Sequence, residues 1–255
     1  MSLLASAMHV LCVVPARLGC TRLHHKPLRL LAGQPLIRRV AERVREFDLG
    51  GPLVVATDDQ RVADAVQGLG VHAVLTSPAH RSGTERVAEV ARRAEFAGFD
   101  VIVNVQGDEP FVPAAAVTGA VERIARGDDI GTAATPLAPE HAADPSKVKV
   151  TLNAMGHAVS FTRSFAPSAL HHVGVYAYRR DALLRWVGSK PVPEEMAESL
   201  EQVRPLALGM TIGVAVLDHE ALPGIDTEDD LALAELSFGA GVPLSAHRRG
   251  DRGEA

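Results

Sequence analysis

Three fixed cations, Arg17, Arg22 and Lys26, fall in one loop between an apolar run that stops at Pro15 and the apolar stretch that begins at Leu28. Guanidinium groups fork onto phosphate oxygens, and an irregular loop frees backbone N–H groups, so the grouping suits a ligand with several phosphate oxygens. Taken alone, an Arg-x-x-x-x-Arg pair is equally what a solvated basic loop looks like. The loop has neither Gly-x-x-x-x-Gly-Lys-Ser/Thr nor Gly-x-Gly-x-x-Gly, so phosphate would be held mainly by side chains. One acid far along the chain could complete such a site. Asp108 follows the run Asp100 to Val105 in Gln106-Gly107-Asp108-Glu109-Pro110, and a carboxylate just past a central strand can ligate Mg²⁺ while waters and phosphates fill the octahedron. The same five residues also read as an ordinary acidic turn. Asp226, in Gly224-Ile225-Asp226-Thr227, reads by itself as a turn or cap residue.

A second polar loop, Thr76 to Arg86, clusters Ser77, His80, Ser82 and Thr84 ahead of the helical pattern Val87, Val90, Ala91. Thr84 could serve simply as the cap of that helix. Loops beyond strand carboxyl ends are also where ligands sit in open α/β sheets.

The elements that must carry these groups follow from periodicity. Val10 to Val14, Pro52 to Thr57, Val71 to Leu75 and Asp100 to Val105 are short apolar runs of strand type, and the last, rich in Val and Ile, is covered on both faces. Between them, Pro35 to Phe47, a segment from Asp59 to Leu69 and the segment after Thr84 repeat apolar residues at helical spacing. Strand, helix, strand at this spacing predicts right-handed βαβ units and a largely parallel sheet with helices on both faces. Gly131 to Leu137, Val148 to Leu152, Ala158 to Phe161 and His172 to Tyr178 read as further strands. Ala182 to Val187 and Glu194 to Leu208 read as helices, Met210 to Leu217 as a strand, and Thr227 as the cap of a final helix.

At 255 residues, 47% hydrophobic and 22% charged, the chain suits one α/β unit of ordinary globular type, 1–255, with a core over 9–238, a β-rich lobe within 130–190 and a polar tail over 239–255. Net charge is −5, which does not indicate a nucleic-acid-binding surface, although residues 17 to 45 concentrate eight Arg and Lys. No apolar run approaches the ~20 residues of a membrane span. Cys12 and Cys20, without a wider framework, point to a reducing compartment, so a cytoplasmic location and no disulfide are expected.

Pro15-Ala16-Arg17, Thr21-Arg22-Leu23 and Lys26-Pro27-Leu28 resemble the opening signature of sugar-activating nucleotidyltransferases. Thr76-Ser77-x-x-His80-x-Ser82-Gly83-Thr84-Glu85-Arg86 and Asn104-Val105-Gln106-Gly107-Asp108-Glu109-Pro110 are similar to motifs of the CMP-Kdo synthetase (3-deoxy-manno-octulosonate cytidylyltransferase) family. So are Phe161-Thr162-Arg163-Ser164, His172 to Tyr178, Leu200-Glu201-Gln202-Val203-Arg204 and Gly224 to Asp230. The resemblance covers roughly residues 9 to 238. It implies a Rossmann-like nucleotidyltransferase domain that transfers CMP from CTP to a 3-deoxy-ulosonic acid. On this resemblance Ala16, Arg17, Arg22, Lys26, Thr76, His80, Ser82 and Gln106 surround the nucleotide, and Arg22, Lys26, Asp108 and Asp226 are catalytic. Asp108 and Asp226 share Mg²⁺. Gln106, Arg163, His172, Tyr176, Glu201 and Gln202 face the sugar acid. It further implies a homodimer with Val173 to Tyr178 near the interface. Read residue by residue, Arg163 is otherwise a surface arginine, His172 a core histidine, Tyr176 a strand tyrosine and Glu201-Gln202 a solvated face. An enzyme for another acceptor, or a nucleotide-binding homologue without catalysis, fits the same motifs.

The chain departs from the pattern where Leu23-His24-His25-Lys26 replaces the family's Leu-Pro-Gly-Lys. A glycine position adapted to positive φ would accept His at a cost on the order of 1–2 kcal/mol. Either the loop differs or that position is not left-handed. Cys20 stands where serine is common, and the segment between Ser164 and His171 is shorter than usual, which bears on sugar selection and the dimer arm.

Overall fold

Alternate residues of the first strand, β1 (Val10–Ala16), enter two different cores: Val10, Cys12, Val14 and Ala16 pack in one apolar cluster, Leu11 and Val13 in the other. A strand apolar on both faces must be covered on both. The computed structural model, which describes residues 8–19 and 22–239, places β1 inside a nine-stranded sheet. Cys20, Thr21 and the tail beyond residue 239 lie outside the described residues.

A small hairpin, β2 (Leu30–Leu31) and β3 (Gln34–Pro35), follows the basic loop. The main sheet continues with β4 (Leu53–Thr57), β5 (His72–Leu75), β6 (Val101–Asn104), β7 (Ile130–Thr135), β8 (Lys149–Leu152), β9 (Ala158–Thr162), β10 (Leu170–Arg179) and β11 (Ile212–Val216). Across it the order is β11-β7-β10-β6-β1-β4-β5. β5, β4, β1 and β6 run parallel, β10 enters antiparallel between β6 and β7, and β11 is parallel to β7. β8 and β9 form a hairpin joined to the sheet through β10, so the β-rich lobe expected over 130–190 is an extension of the main sheet.

Helices α1 (Leu36–Arg45), α2 (Gln60–Ala65), α4 (Ala114–Ala125) and α8 (Glu228–Gly239) bury their apolar stripes in the first core. α3 (Gly83–Arg92) and α5 (Arg180–Gly188) cover the opposite face. The sheet is thus sandwiched between two helical layers, as the strand and helix spacing predicts.

Several boundaries differ from expectation. β1 runs through Pro15 to Ala16 instead of stopping at Pro15, because its pairing with β6 has already ended at Val13 and only the register with β4 continues. Proline without an N–H is tolerated there. α2 ends at Ala65, four residues short of Leu69. The single helix expected over Glu194 to Leu208 is two: α6 (Pro193–Glu198) stops at Ser199, which takes a left-handed φ of 54°, and α7 (Val203–Ala207) restarts beyond it. Pro205 sits in the first turn of α7, where its missing N–H has no cost; in the interior of a continuous helix it would break the ladder.

Candidate active site

The carboxyl ends of β1 and β6 approach so closely that a Cβ on Gly107 would lie 2.7 Å from the Pro15 carbonyl oxygen, which is why the residue ahead of Asp108 is glycine. The loop before α8 is laced to the same point. Ile225 N–H donates to the Asp108 carbonyl at 2.9 Å, and a side chain on Gly224 would meet the Glu109 carboxylate. Thr227 and Asp230 close a reciprocal cap on α8, with Asp230 N–H donating to Thr227 Oγ1 at 3.2 Å and Thr227 N–H to Asp230 Oδ2 at 2.8 Å. Thr227 is therefore the cap, and the Asp226 side chain faces the cleft.

Lys26 opens a short 3₁₀ turn and is buried. Its Nζ donates to Asp108 Oδ2 at 2.6 Å and to Asp226 Oδ1 at 2.7 Å, and Arg22 adds a contact to Asp226 Oδ1 at 3.0 Å. Burial alone would lower the Lys26 ammonium, but the two carboxylates more than offset it and hold it above its ordinary value. Burial would likewise raise Asp226, and Lys26 and Arg22 hold it below the usual carboxylate range. For Glu109, burial, then the charges of Asp108 and Asp226, outweigh the pull of Lys26 and push it well above that range.

His25 settles the alternative left by the altered loop. It lies at φ 52°, ψ 35°, so the position is left-handed and the histidine adopts it. The replacement leaves Lys26 in place between the carboxylates.

Above them opens a cleft of about 260 Å³, lined by Ala16, Arg17, Arg22, Lys26, His80, Ser82, Gln106, Asp108 and Asp226 among others. Ser82, not Thr84, caps α3, accepting from Glu85 N–H at 3.3 Å. Thr84 instead donates from Oγ1 to Glu201 Oε1 at 2.6 Å. His80 is held by Glu89 at 2.5 Å. Thr76 stands behind the wall, donating to the Thr57 carbonyl at 2.9 Å and accepting from Arg86. Arg86 lines the cleft yet is only 2% exposed, and Asp58 ties it to the phosphate loop by accepting from Arg86 Nη2 at 3.3 Å and Leu18 N–H at 3.0 Å. Sequence reasoning assigned neither residue a role. An arginine early in an amphipathic helix reads as solvated, and its one signal was its place at the end of the Thr76–Arg86 motif.

A second pocket, about 370 Å³, meets the first at Arg22, Asp108 and Asp226 and is bounded on its far side by Lys147, His171 and His172. The Thr132 hydroxyl donates to the Val175 carbonyl at 2.7 Å, so its contact with His172 Nε2 at 2.9 Å requires Nε2–H to be the donor. Burial, then neighbouring His171, pushes His172 down to about 3, keeping the ring neutral. Tyr176 is buried against it, ring centroids 5.4 Å apart, and stacks on Tyr178. Gln106 lines the first cleft, beside Gly174 of β10. Arg163 reaches neither pocket wall, since its guanidinium donates to the Pro145 carbonyl at 3.0 Å; Gln202 is buried and likewise lines neither. Of Val173 to Tyr178, expected near a dimer interface, Tyr176 to Tyr178 are paired with β6 on one side and β7 on the other, so no second chain can add a strand at those three residues.

The donor set suits a hard divalent cation. Two carboxylate oxygens already share one cationic partner in Lys26 Nζ, so they converge on a single point. Among the described residues no group of three or more His, Cys, Asp or Glu forms a closed cage. Mg²⁺ characteristically takes one or two carboxylates and completes its shell with water and phosphate.

Residues 11–212 match the family model described as cytidylyltransferase. The chain is 48% identical to the 3-deoxy-manno-octulosonate cytidylyltransferase of Gemmatimonas aurantiaca, covering 91% of this chain and 95% of that one. It is 46% identical to that of Rhodospirillum centenum over 90% and 93%. The solved structure of CMP:2-keto-3-deoxy-manno-octonic acid synthetase complexed with CTP superposes with a TM-score of 0.85 at 35% identity, covering 91% of this chain and 99% of that one. With the motifs of both loops and both aspartates gathered at one cleft, the chain belongs to the 3-deoxy-manno-octulosonate cytidylyltransferase family.

Proposed function

We propose that the chain transfers CMP from CTP to 3-deoxy-manno-octulosonate and releases pyrophosphate. The observation that carries this reading is the meeting of Arg22 and Lys26 with Asp108 and Asp226 at one cleft, in a chain 48% identical to an enzyme of that name. Arg17, Arg22 and Lys26 hold the triphosphate, with His80, Ser82 and Gln106 along the same wall. The acceptor's anomeric hydroxyl attacks the α-phosphorus as the bond to the pyrophosphate oxygen breaks. In-line displacement requires the acceptor on the side opposite the leaving group, and the pocket beyond Asp108 and Asp226 is the proposed acceptor site. Of the expected sugar contacts, His172 lines that pocket; Tyr176, Glu201 and Gln202 stand behind its wall and would support it from there, and Arg163 would join only on releasing the Pro145 carbonyl.

Asp108 and Asp226 would hold Mg²⁺, which supplies neutralisation of the charge that develops on the phosphoryl oxygens. Among the described residues no helix is long and apolar enough to cross a membrane, and we place the reaction in the cytoplasm. A homodimer fits the exposed apolar side chains Val159, Phe165 and Met196, around β9 and α6.

Pyrophosphate release, followed by a coupled phosphate assay, tests the reading. Release is expected only when CTP, Mg²⁺ and 3-deoxy-manno-octulosonate are present together. Equal rates with ATP, GTP or UTP would contradict the cytidylyl assignment, and CTP binding without turnover on any sugar acid would favour a binding protein.

A further inference from the structure

The phosphate-loop cations and the acidic pair, which serve different ligands in the function proposed above, are bonded to each other. Lys26 spends two of its three protons on Asp108 Oδ2 and Asp226 Oδ1, at 2.6 and 2.7 Å, while Arg22 takes Asp226 Oδ1 at 3.0 Å. A divalent ion that binds both oxygens at about 2.1 Å cannot coexist with an ammonium between them. A triphosphate that draws Lys26 and Arg22 toward itself strips both carboxylates of their counter-charge.

We propose that Lys26 is an internal counter-ion that holds the metal position closed and couples metal binding to nucleotide binding. The inference rests on the cytidylyltransferase reading and adds an order to it: each ligand releases the groups that the other needs. The backbone of Lys26 is fixed by its 3₁₀ turn and by Pro27, so only the flexible stem and ammonium swing, from the carboxylates toward the cleft that Arg17 lines. Arg22 leaves Asp226 in the same movement. Linkage makes the effect reciprocal, so CTP tightens the metal by the factor by which the metal tightens CTP.

The test reads binding and not turnover. Mn²⁺ is titrated into EDTA-stripped, buffer-exchanged protein and counted by its EPR signal, without nucleotide. Lys26→Met is expected to bind Mn²⁺ at least about tenfold more tightly than wild type, within the usual range of coupling factors. Arg17→Met removes the same charge from the same cleft without a bond to either carboxylate, and is expected to stay within about twofold of wild type. If Lys26→Met tightens Mn²⁺ no more than Arg17→Met does, the counter-ion role is overturned. Should Lys26→Met fail to fold, Arg22→Met, which removes one of the two cations on Asp226 and leaves Lys26 in place, must show a smaller tightening than tenfold yet larger than Arg17→Met, and its absence overturns the proposal equally. Wild type that takes up no Mn²⁺ even with CTP present would instead overturn the underlying functional reading, and this inference with it.

Discussion

At φ 52° and ψ 35°, His25 holds a backbone conformation that costs an L side chain about 1–2 kcal/mol, one residue before the lysine that bridges both aspartates. Glycine there relieves that cost but loses more entropy on folding, so His25→Gly is expected to raise stability by about 0.5–1 kcal/mol in urea denaturation and to leave turnover unchanged. A lower midpoint would mean that the ring contact with His24, centroids 3.9 Å apart, outweighs the backbone. His172 is expected to contribute to the loss of stability in acid. Its folded pKa of about 3 lies below the unfolded value of about 6.5, so the unfolded chain binds the extra proton. The contribution is fully present above pH ~6.5 and falls by about 1.4 kcal/mol per pH unit on the way down to about 3. Half-buried His171, lowered to about 4, adds in the same direction with a smaller share. Stability measured from pH 7 to 4.5 should show this slope, and His172→Gln, whose amide can still donate to Thr132, should flatten it. An unchanged slope in that variant would remove His172 as the cause.

The elements show what a sequence can and cannot disclose. Strands β1, β4 and β6 were legible because continuous apolar runs bounded by turn residues have few other meanings, and Gly107 was legible because a carboxylate after a central strand needs the chain to pass close by. Gly107→Ala would drive a methyl group to 2.7 Å from the Pro15 carbonyl oxygen, so β1 and β6 must part at the end that carries the site. A loss of about 1–3 kcal/mol is expected, with a fall in kcat, since Asp108 is the next residue. Unchanged melting and kcat would show that the strands are free to separate there. The break between α6 and α7 is not legible from periodicity; Pro205, which cannot sit inside a continuous helix, is its local sign. Arg86 and Asp58 stayed hidden for another reason: their roles come from a tertiary tie between the phosphate loop and the first turn of α3, and local pattern carries no trace of it.

Across the whole molecule, the fold's work is to bring Lys26 to partners 82 and 200 residues away. No spacing rule predicts such contacts; the family motifs named the residues, and the sheet order with the Ile225 N–H to Asp108 carbonyl bond explains their meeting. Association belongs to this scale as well. The exposed apolar side chains Val159, Phe165 and Met196 are the surface the proposed dimer would bury. Light scattering at micromolar concentration should give twice the 27.0 kDa chain mass, with Phe165→Asp shifting it to monomer. A monomeric wild type would contradict the dimer. If Asp108 and Asp226 act as one unit in the proposed CMP transfer, steady-state turnover of Asp108→Asn, Asp226→Asn and the double variant will show it. Each change keeps shape and removes one charge, so melting temperatures should stay close to wild type while each single variant loses several orders of magnitude in kcat. The double variant should be hardly slower than either, because residues acting as a unit are non-additive. Near-normal turnover in Asp226→Asn, or losses that multiply in the double variant, would contradict the shared site.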